Sequence, residues 1–343
     1  MGLDRDSQPV AHPLGVRVKD AMARGLARVI GRLPLGLLHR LGSGLGLLIA
    51  YWPNRQRHNA LINIALCLPD LDRPAQKEMR KRNLREFGKT YFEIAYLWLR
   101  PAEQVLSLVR EVRGGELLKR RNGQGLIVLS PHLGAWELAG LYLAAQGPTA
   151  IFYKPQKYLD DLIRAARARS GAALAPITAR GIRLLVQALE RGSYVGILPD
   201  QEPKADKGAV FAPLFGIPAF TMLLVNRLAR RTGAPVIFMF AERLAGADGF
   251  RMHCIQAPEG IASKDDVEAA TALNRGIERC VSVCPEQYVW PYKRFRRRPA
   301  GAPKVYSGPI GDRHALAQVS RIRQSIQGPD SAAWATRRGK QTL

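Results

Sequence analysis

The fold of this chain is decided by residues 126–137, Leu-Ile-Val-Leu-Ser-Pro-His-Leu-Gly-Ala-Trp-Glu. The apolar run 126–129 predicts a buried strand, and the stretch 135–145 predicts a helix. His132 and Glu137 therefore lie on either side of a strand-to-helix turn, where side chains project from the end of a sheet into a crevice. On one continuous helix this five-residue spacing would turn the two side chains about 140° apart. Across a turn that contains Gly134 they can meet.

A histidine with a carboxylate beside it suits general base chemistry. A carboxylate on one imidazole nitrogen selects the tautomer and leaves the other nitrogen as the base. We therefore take His132 and Glu137 as candidate catalytic residues, with His132 as the base and Glu137 as its partner. The alternative is that both residues only cap and charge the start of a helix. The segment has no G-x-S-x-G nucleophile elbow, which favours direct attack by an acceptor over a covalent enzyme intermediate.

Strand-like and helix-like stretches alternate after residue 125, which is typical of an α/β fold. We expect a mixed, mostly parallel sheet flanked by helices. The predicted strands cover residues 126–129, 149–153, 194–198, 235–240 and 250–255. The predicted helices cover residues 135–145, 158–170, 182–189, 221–231 and 265–283, after a helical region at 59–98.

The composition divides the chain into three parts. Residues 1–55 are basic and then apolar, residues 56–299 carry the predicted catalytic domain, and residues 300–343 are predicted to form a loose basic tail. The uncharged part of the first segment is shorter than the ~20 residues of a spanning helix. Its end at Tyr51-Trp52 is typical of an interfacial boundary. We expect membrane-associated helices here, with a pair of core helices or a true span as alternatives.

The charge balance indicates a polyanionic partner. The chain has 52 Lys and Arg against 28 Asp and Glu, a net charge of +24 with a pI near 10.5. Such a charge suits nucleic acid, an anionic membrane or an acidic protein. Nucleic acid is not expected, because aromatic residues do not interleave with the basic ones and no zinc-finger spacing is present. No metal is expected, because the four cysteines lack paired CxxC spacing.

Other candidates follow two further predicted strands, Lys154 after the strand 149–153 and Asp200-Gln201 after the strand 194–198. Ligands bind outside the carboxyl ends of the strands in an open α/β sheet, so these residues can share a crevice with His132. A base, a cation and an acidic turn suit acyl transfer to a hydroxyl. Singly, each has a plainer interpretation: a solvated loop lysine for Lys154 and a turn residue for Asp200.

The segment 130–138 resembles the His-x4-Asp/Glu motif of glycerolipid-type acyltransferases, and its Gly-x-Trp-Glu form resembles the bacterial lipid A late (secondary) acyltransferases. The resemblance covers roughly residues 30–300. It continues, in order, through segments 153–155, 181–185, 198–201, 211–219, 285–290 and 293–296.

The resemblance implies a glycerolipid-acyltransferase-like fold and a fatty acyl transfer from acyl carrier protein to a hydroxyl of a lipid A precursor. It implies an enzyme on the cytoplasmic face of the inner membrane. The enzyme would need no metal or redox cofactor, and its acyl donor would be the acyl carrier protein thioester. The partners would be acyl carrier protein, the anionic lipid substrate and the membrane surface. Another acceptor, such as a lysophospholipid, ornithine lipid or glycolipid, stays open. The implied substrate-binding residues are Trp136, Lys154 (where the family often carries Arg), Arg167, Asp200 and Gln201.

Overall fold

The predicted strand at residues 126–129 is the central strand of a seven-stranded sheet in the computed structural model. This strand, β2 (Leu126–Leu129), pairs in parallel with β5 (Tyr194–Ile197) on one side and β8 (Val236–Arg243) on the other. The strand order is β1-β9-β8-β2-β5-β3-β4, and the β8–β9 pair is antiparallel whereas the other pairs are parallel. The predicted mixed, mostly parallel sheet is therefore confirmed. The remaining strands of the sheet are β1 (Val109–Arg113), β3 (Thr149–Tyr153), β4 (Ala173–Pro176) and β9 (Phe250–Gln256).

The structure describes residues 14–119, 123–156, 158–204 and 207–327. Four helices precede most of the sheet: α1 (Leu14–Ile30), α2 (Leu35–Tyr51), α3 (Arg55–Cys67) and α4 (Arg73–Leu99). The next helices are α5 (Ala102–Leu106), α6 (Trp136–Gln146), α7 (Asp160–Ala168) and α8 (Ala179–Glu190). A separate antiparallel hairpin of β6 (Ala209–Leu214) and β7 (Ile217–Met222) follows. The last helices are α9 (Leu224–Thr232), α10 (Asp266–Val283) and α11 (Asp312–Gln327), and short 3-10 helices lie at 115–118, 245–247 and 285–287.

Strand β2 is apolar throughout because both faces of the sheet are covered by helices. Ile127 and Leu129 point into a core formed with α8, α9 and α10, whereas Leu126 and Val128 point into a second core formed with α6. The turn from β2 into α6 therefore leaves the sheet at the carboxyl ends of parallel strands, which is where the sequence predicted the site.

Helices α2 and α4 pack closely through glycines. A Cβ atom on Gly42 would lie 2.5 Å from the Cα of Lys89, and one on Gly46 would lie 2.1 Å from the carbonyl oxygen of Leu84. Only glycine leaves room for this backbone approach. The two glycines of α2 therefore join the amino-terminal segment to the rest of the protein.

The outer sides of α1 and α2 carry large apolar side chains in solvent. In the part of the chain that the structure describes, no helix is both long enough and apolar enough to cross a membrane. We call these outer side chains the amino-terminal apolar surface. It consists of Val18, Met22, Leu26, Val29, Leu37, Leu41, Leu48, Tyr51 and Trp52.

The carboxyl-terminal segment differs from the predicted loose tail. Residues 312–327 form α11, which packs on α3 and buries one of its faces. Asp312 accepts hydrogen bonds from Arg57 at 3.0 Å and from Arg80 at 2.7 Å. The polar composition of the segment hid the helical spacing of the buried residues, which are Ala315, Val319 and Ile322. Residues 328–343 lie outside the described residues, and the domain boundaries at 55 and 299 stay predictions.

A buried ion pair supports the turn between β2 and α6. Arg243 at the end of β8 contacts Glu93 of α4 at 2.5 Å and donates to the carbonyl oxygen of Gly134 at 2.8 Å. His39 of α2 contacts the same Glu93 carboxylate at 2.8 Å. Burial raises the pKa of Glu93, but the charge of Arg243 and the hydrogen bonds outweigh burial and lower that pKa to about 2. A charged carboxylate thus links α2, α4 and β8 beneath the turn.

This pair makes folding sensitive to acid. The pKa of Glu93 is lower in the folded protein than its ordinary value of 4.5, so its contribution is complete above about pH 4.5 and is lost as the pH falls toward 2. We expect Glu93→Gln to lower the free energy of unfolding at neutral pH by about 3 kcal/mol, because the buried Arg243 loses its nearest carboxylate and keeps only the more distant Glu86 at 3.6 Å. We also expect the free energy of unfolding to fall less between about pH 5 and pH 3 in the variant than in wild type.

Urea unfolding at several pH values measures both effects. The matched control is Glu259→Gln at an exposed carboxylate, which should keep the wild-type pH dependence. Equal pH slopes for wild type and Glu93→Gln would contradict the role of this carboxylate.

Candidate active site

The turn between β2 and α6 is held by backbone contacts that only glycine permits. Gly134 has a φ of +60°, and a Cβ atom there would lie 2.0 Å from the carbonyl oxygen of Ala241. Its backbone N–H donates to the carbonyl of Gln287, and the next N–H, of Ala135, donates to Ala241 at 2.8 Å. The carbonyl of His132 accepts from Val289. The turn is therefore fixed against β8 and against the segment that follows α10.

His132 is bonded to Asp200. The ring Nδ1 lies 2.7 Å from Asp200 Oδ1, and the backbone N–H of His132 donates to Asp200 Oδ2 at 2.9 Å. The register of the sheet explains this contact. Leu129 of β2 pairs with Ile197 of β5, and His132 and Asp200 each follow three positions later in their own segments. Asp200, which we expected to bind substrate, is 1% exposed, and its carboxylate is bonded to the imidazole.

The environment keeps Asp200 ionised. Burial alone would raise the pKa of this carboxyl group, but the His132 imidazole and the hydrogen bonds from its ring and backbone bring the pKa below its ordinary value. A carboxylate accepting from Nδ1 holds the proton on that nitrogen and leaves a lone pair on Nε2. Nε2 lies 3.0 Å from the side-chain nitrogen of Gln201, which is exposed and donates to it. The imidazole is thus prepared to accept a proton on the side that faces solvent.

Glu137 makes its hydrogen bonds elsewhere. Its carboxylate accepts from Arg167 of α7, at 2.5 Å and 3.1 Å, and from the indole N–H of Trp98 at 3.0 Å. Burial raises the pKa of Glu137, but the charge and hydrogen bonds of Arg167 and the Trp98 bond lower it overall. The direct contact that we expected between Glu137 and His132 is therefore made by Asp200. Spacing along the chain could not reveal this, because the competing carboxylate comes from a neighbouring strand.

Two more of the expected residues, Trp136 and Gln201, adjoin His132, and a third, Lys154, follows β3. The ring of Trp136 is 5.2 Å from the imidazole and is tilted by 57°. Gln201 contacts Nε2, as described above. Lys154 is exposed at the end of β3, where the adjacent Lys204 side chain and, to a smaller degree, burial lower its pKa. Lys154 is thus one of two neighbouring cations near the carboxyl edge of the sheet.

An apolar cavity lies between the sheet and α6, next to these residues. The space between its walls is about 480 Å³, part of which is open to solvent. Trp136, Glu137 and Arg167 line it together with apolar residues of β2, β3, β5, β8 and α6. A space of this kind suits a hydrocarbon chain, with the polar residues at one part of its wall.

Sequence reasoning missed the contribution of α4. Trp98 lies in the last turn of this 27-residue helix, far from residues 126–137 in the chain, yet it holds Glu137. No local pattern distinguishes it from an ordinary apolar helix residue. In the described residues, no group of three His, Cys, Asp or Glu side chains could hold a metal ion.

A histidine bonded to a carboxylate at the carboxyl end of a sheet, beside an apolar cavity, suits an enzyme that acts on acyl chains. A family model described as bacterial lipid A biosynthesis acyltransferase matches residues 17–297. The chain belongs to this family, as its motifs predicted, and it is an acyltransferase of lipid A biosynthesis.

Three relatives illustrate the range of the family. The lipid A biosynthesis lauroyltransferase of Escherichia coli K12 is 28% identical over 82% of this chain and 92% of its own length. The palmitoleoyltransferase of the same strain is 30% identical over 80% of this chain and 90% of its own length. The myristoyltransferase of the same strain is 26% identical over 79% of this chain and 83% of its own length. Because these identities are so similar, they do not select one acyl group for this chain.

Asp200→Asn tests the orientation of the imidazole. The amide can donate to Nδ1 and so favours the tautomer with its proton on Nε2, which cannot accept another. We expect acyl transfer to fall about 10²–10⁴-fold in kcat, with little change in KM. The matched control is Asp248→Asn at an exposed carboxylate, which should keep full activity. Wild-type turnover in a correctly folded Asp200→Asn protein would contradict the orienting role.

Proposed function

We propose that this enzyme transfers a fatty acyl chain from the thioester of acyl carrier protein to a hydroxyl group of a lipid A precursor. The reaction would take place at the cytoplasmic face of the inner membrane. One observation carries the chemical part of the proposal: the His132 imidazole is held by Asp200, with Nε2 directed to solvent beside an apolar cavity.

His132 would act as the general base. As the acceptor hydroxyl replaces the Gln201 amide at Nε2, its oxygen attacks the thioester carbonyl carbon and its proton passes to Nε2. A C–O bond forms, and the tetrahedral intermediate then expels the thiolate as the C–S bond breaks. The imidazolium returns its proton to the sulfur, so that the free thiol leaves. Asp200, ionised and hydrogen-bonded to Nδ1, stabilises the imidazolium between these two steps.

Glu137 and Arg167 would form the polar part of the cavity wall. Their ion pair is almost buried, with side-chain exposures of 7% and 18%, so each keeps the other charged in a poorly solvated place. In this role Glu137 acts on the reaction through Arg167 and the cavity rather than by touching the imidazole. Trp136, which lines the cavity and adjoins the imidazole, would separate the acyl chain from solvent.

The positive charge of the chain suits every partner in this reaction. Acyl carrier protein is acidic, lipid A precursors carry phosphates, and the inner leaflet is anionic. Lys154 and Lys204 lie together near the carboxyl edge of the sheet, and two neighbouring cations favour an anionic head group. Lysine offers a point charge there rather than the two-pronged contact of arginine.

The amino-terminal apolar surface supports membrane association. Its side chains lie in solvent on two successive helices and at the end of the second, and large exposed apolar side chains are seldom so numerous in one segment of a soluble protein. Exposed arginines flank it at positions 28, 32, 40 and 55, as expected at an anionic interface.

Purified full-length protein, labelled acyl carrier protein thioesters and separate lipid acceptors test the reaction. We expect label in a Kdo-bearing lipid A precursor, and at least a ~10²-fold loss with His132→Ala but none with His314→Ala at an exposed histidine. Label only in a lysophospholipid, ornithine lipid or glycolipid would overturn the acceptor. Transfer from another thioester but not from acyl carrier protein would overturn the donor.

The membrane role has its own test. We expect Met22→Glu and Leu48→Glu each to weaken binding to anionic phospholipid vesicles on the order of tenfold, because an apolar side chain no longer enters the interface. Co-sedimentation with vesicles measures the binding. Ile182→Glu, at an exposed apolar residue of α8, is the matched control. Equal losses in all three variants would argue against a specific membrane-binding surface.

A further inference from the structure

Two glycines in the wall of the cavity have space around them. The Cβ atom of a residue at Gly140 would have its nearest neighbour, Ile151 Cδ1, at 3.8 Å. At Gly196 the nearest atoms would be Ile151 Cγ1 at 3.5 Å and Leu143 Cδ2 at 3.6 Å. These are ordinary contact distances, unlike the 2.0 Å found at Gly134. Neither glycine is required by close packing of the backbone.

Their local structure does not call for glycine either. Gly140 lies inside α6 and Gly196 inside β5, with regular backbone rather than left-handed dihedrals. Glycine weakens both kinds of element relative to alanine, because it loses more conformational freedom on folding. The shared feature of these two positions is that both line the apolar cavity.

Both glycines lie further from the carboxyl edge of the sheet than His132 and Asp200 do. On α6, Trp136, Gly140 and Leu143 line the cavity along one face, and Gly140 is one turn, about 6 Å, beyond Trp136. On β5, Gly196 lies two residues, about 6–7 Å, before Leu198, which also lines the cavity near the strand end. The glycines therefore widen the cavity at a similar depth from two sides, with the side chain of Ile151 next to both.

We propose that Gly140 and Gly196, together with Ile151, determine the length of the acyl chain that the enzyme transfers. The inference rests on the proposed function, in which the cavity holds the acyl chain of the donor. The missing side chains leave room for the distal methylene groups of a straight chain. A methyl group at either glycine would occupy that room without moving His132, which is held by separate contacts at the strand end.

Competition among donors measures this directly. Full-length protein is given a lipid A precursor and an equimolar mixture of acyl carrier protein thioesters with chains of 10, 12, 14 and 16 carbons, and products are weighed by mass spectrometry. Wild type should prefer one chain length among the four. For Gly140→Ala and Gly196→Ala, we expect the ratio of kcat/KM for that chain to kcat/KM for the next shorter chain to fall about tenfold or more. Ile151→Val should shift the distribution toward longer chains.

The control variant is Gly44→Ala, an exposed helical glycine of α2 with nothing within 4 Å of the added Cβ atom. It should keep the wild-type product distribution. Thermal unfolding of each variant establishes that it is folded, and both alanine variants should be at least as stable as wild type. A shorter distribution in the two cavity variants alone supports the proposal.

The competition experiment separates an error in the role of the two glycines from an error in the reaction itself. If wild type transfers acyl chains to the lipid A precursor but both cavity variants keep its distribution, the assignment of Gly140 and Gly196 is overturned and the reaction stands. If wild type uses none of the four thioesters with any lipid acceptor, the proposed function itself is overturned. A distribution shifted toward longer chains in the alanine variants also contradicts the inference.

Discussion

The parallel pairing of β2 with β5 is the constraint on which the site depends. Because Leu129 pairs with Ile197, the residues three positions further on, His132 and Asp200, leave the sheet side by side. The central position of β2, covered on both faces, makes this register strongly determined. A slip by one residue would turn apolar side chains toward the wrong core and separate His132 from Asp200.

Helix α4 provides a second level of support. Through Glu93 it holds Arg243, which in turn holds the carbonyl of Gly134 in the turn that carries His132. Through Trp98 it holds Glu137 at the cavity. The same helix packs against α2 through close backbone contacts at the glycines of α2. One long helix therefore connects the amino-terminal apolar surface with both the turn between β2 and α6 and the wall of the cavity.

The sheet was predictable where its strands are buried on both faces. Strands β2, β3, β5, β8 and β9 match predicted apolar runs closely. Strands β1 and β4 were not predicted because they lie at the two edges of the sheet, where a strand has fewer apolar neighbours and a weaker pattern. The β6–β7 hairpin was also missed, because each of its strands carries a proline, which weakens a strand pattern.

The sequence alone determined the fold class, the family and the neighbourhood of the site, because apolar periodicity and ordered motifs are local properties of the chain. It brought His132, Asp200 and Gln201 to one end of a sheet. Only the tertiary structure decided that Asp200 rather than Glu137 bonds the imidazole, that Glu137 pairs with Arg167, and that α11 is packed. The physical reason is that hydrogen bonds and burial depend on distances between separate elements, and spacing along one element does not contain those distances.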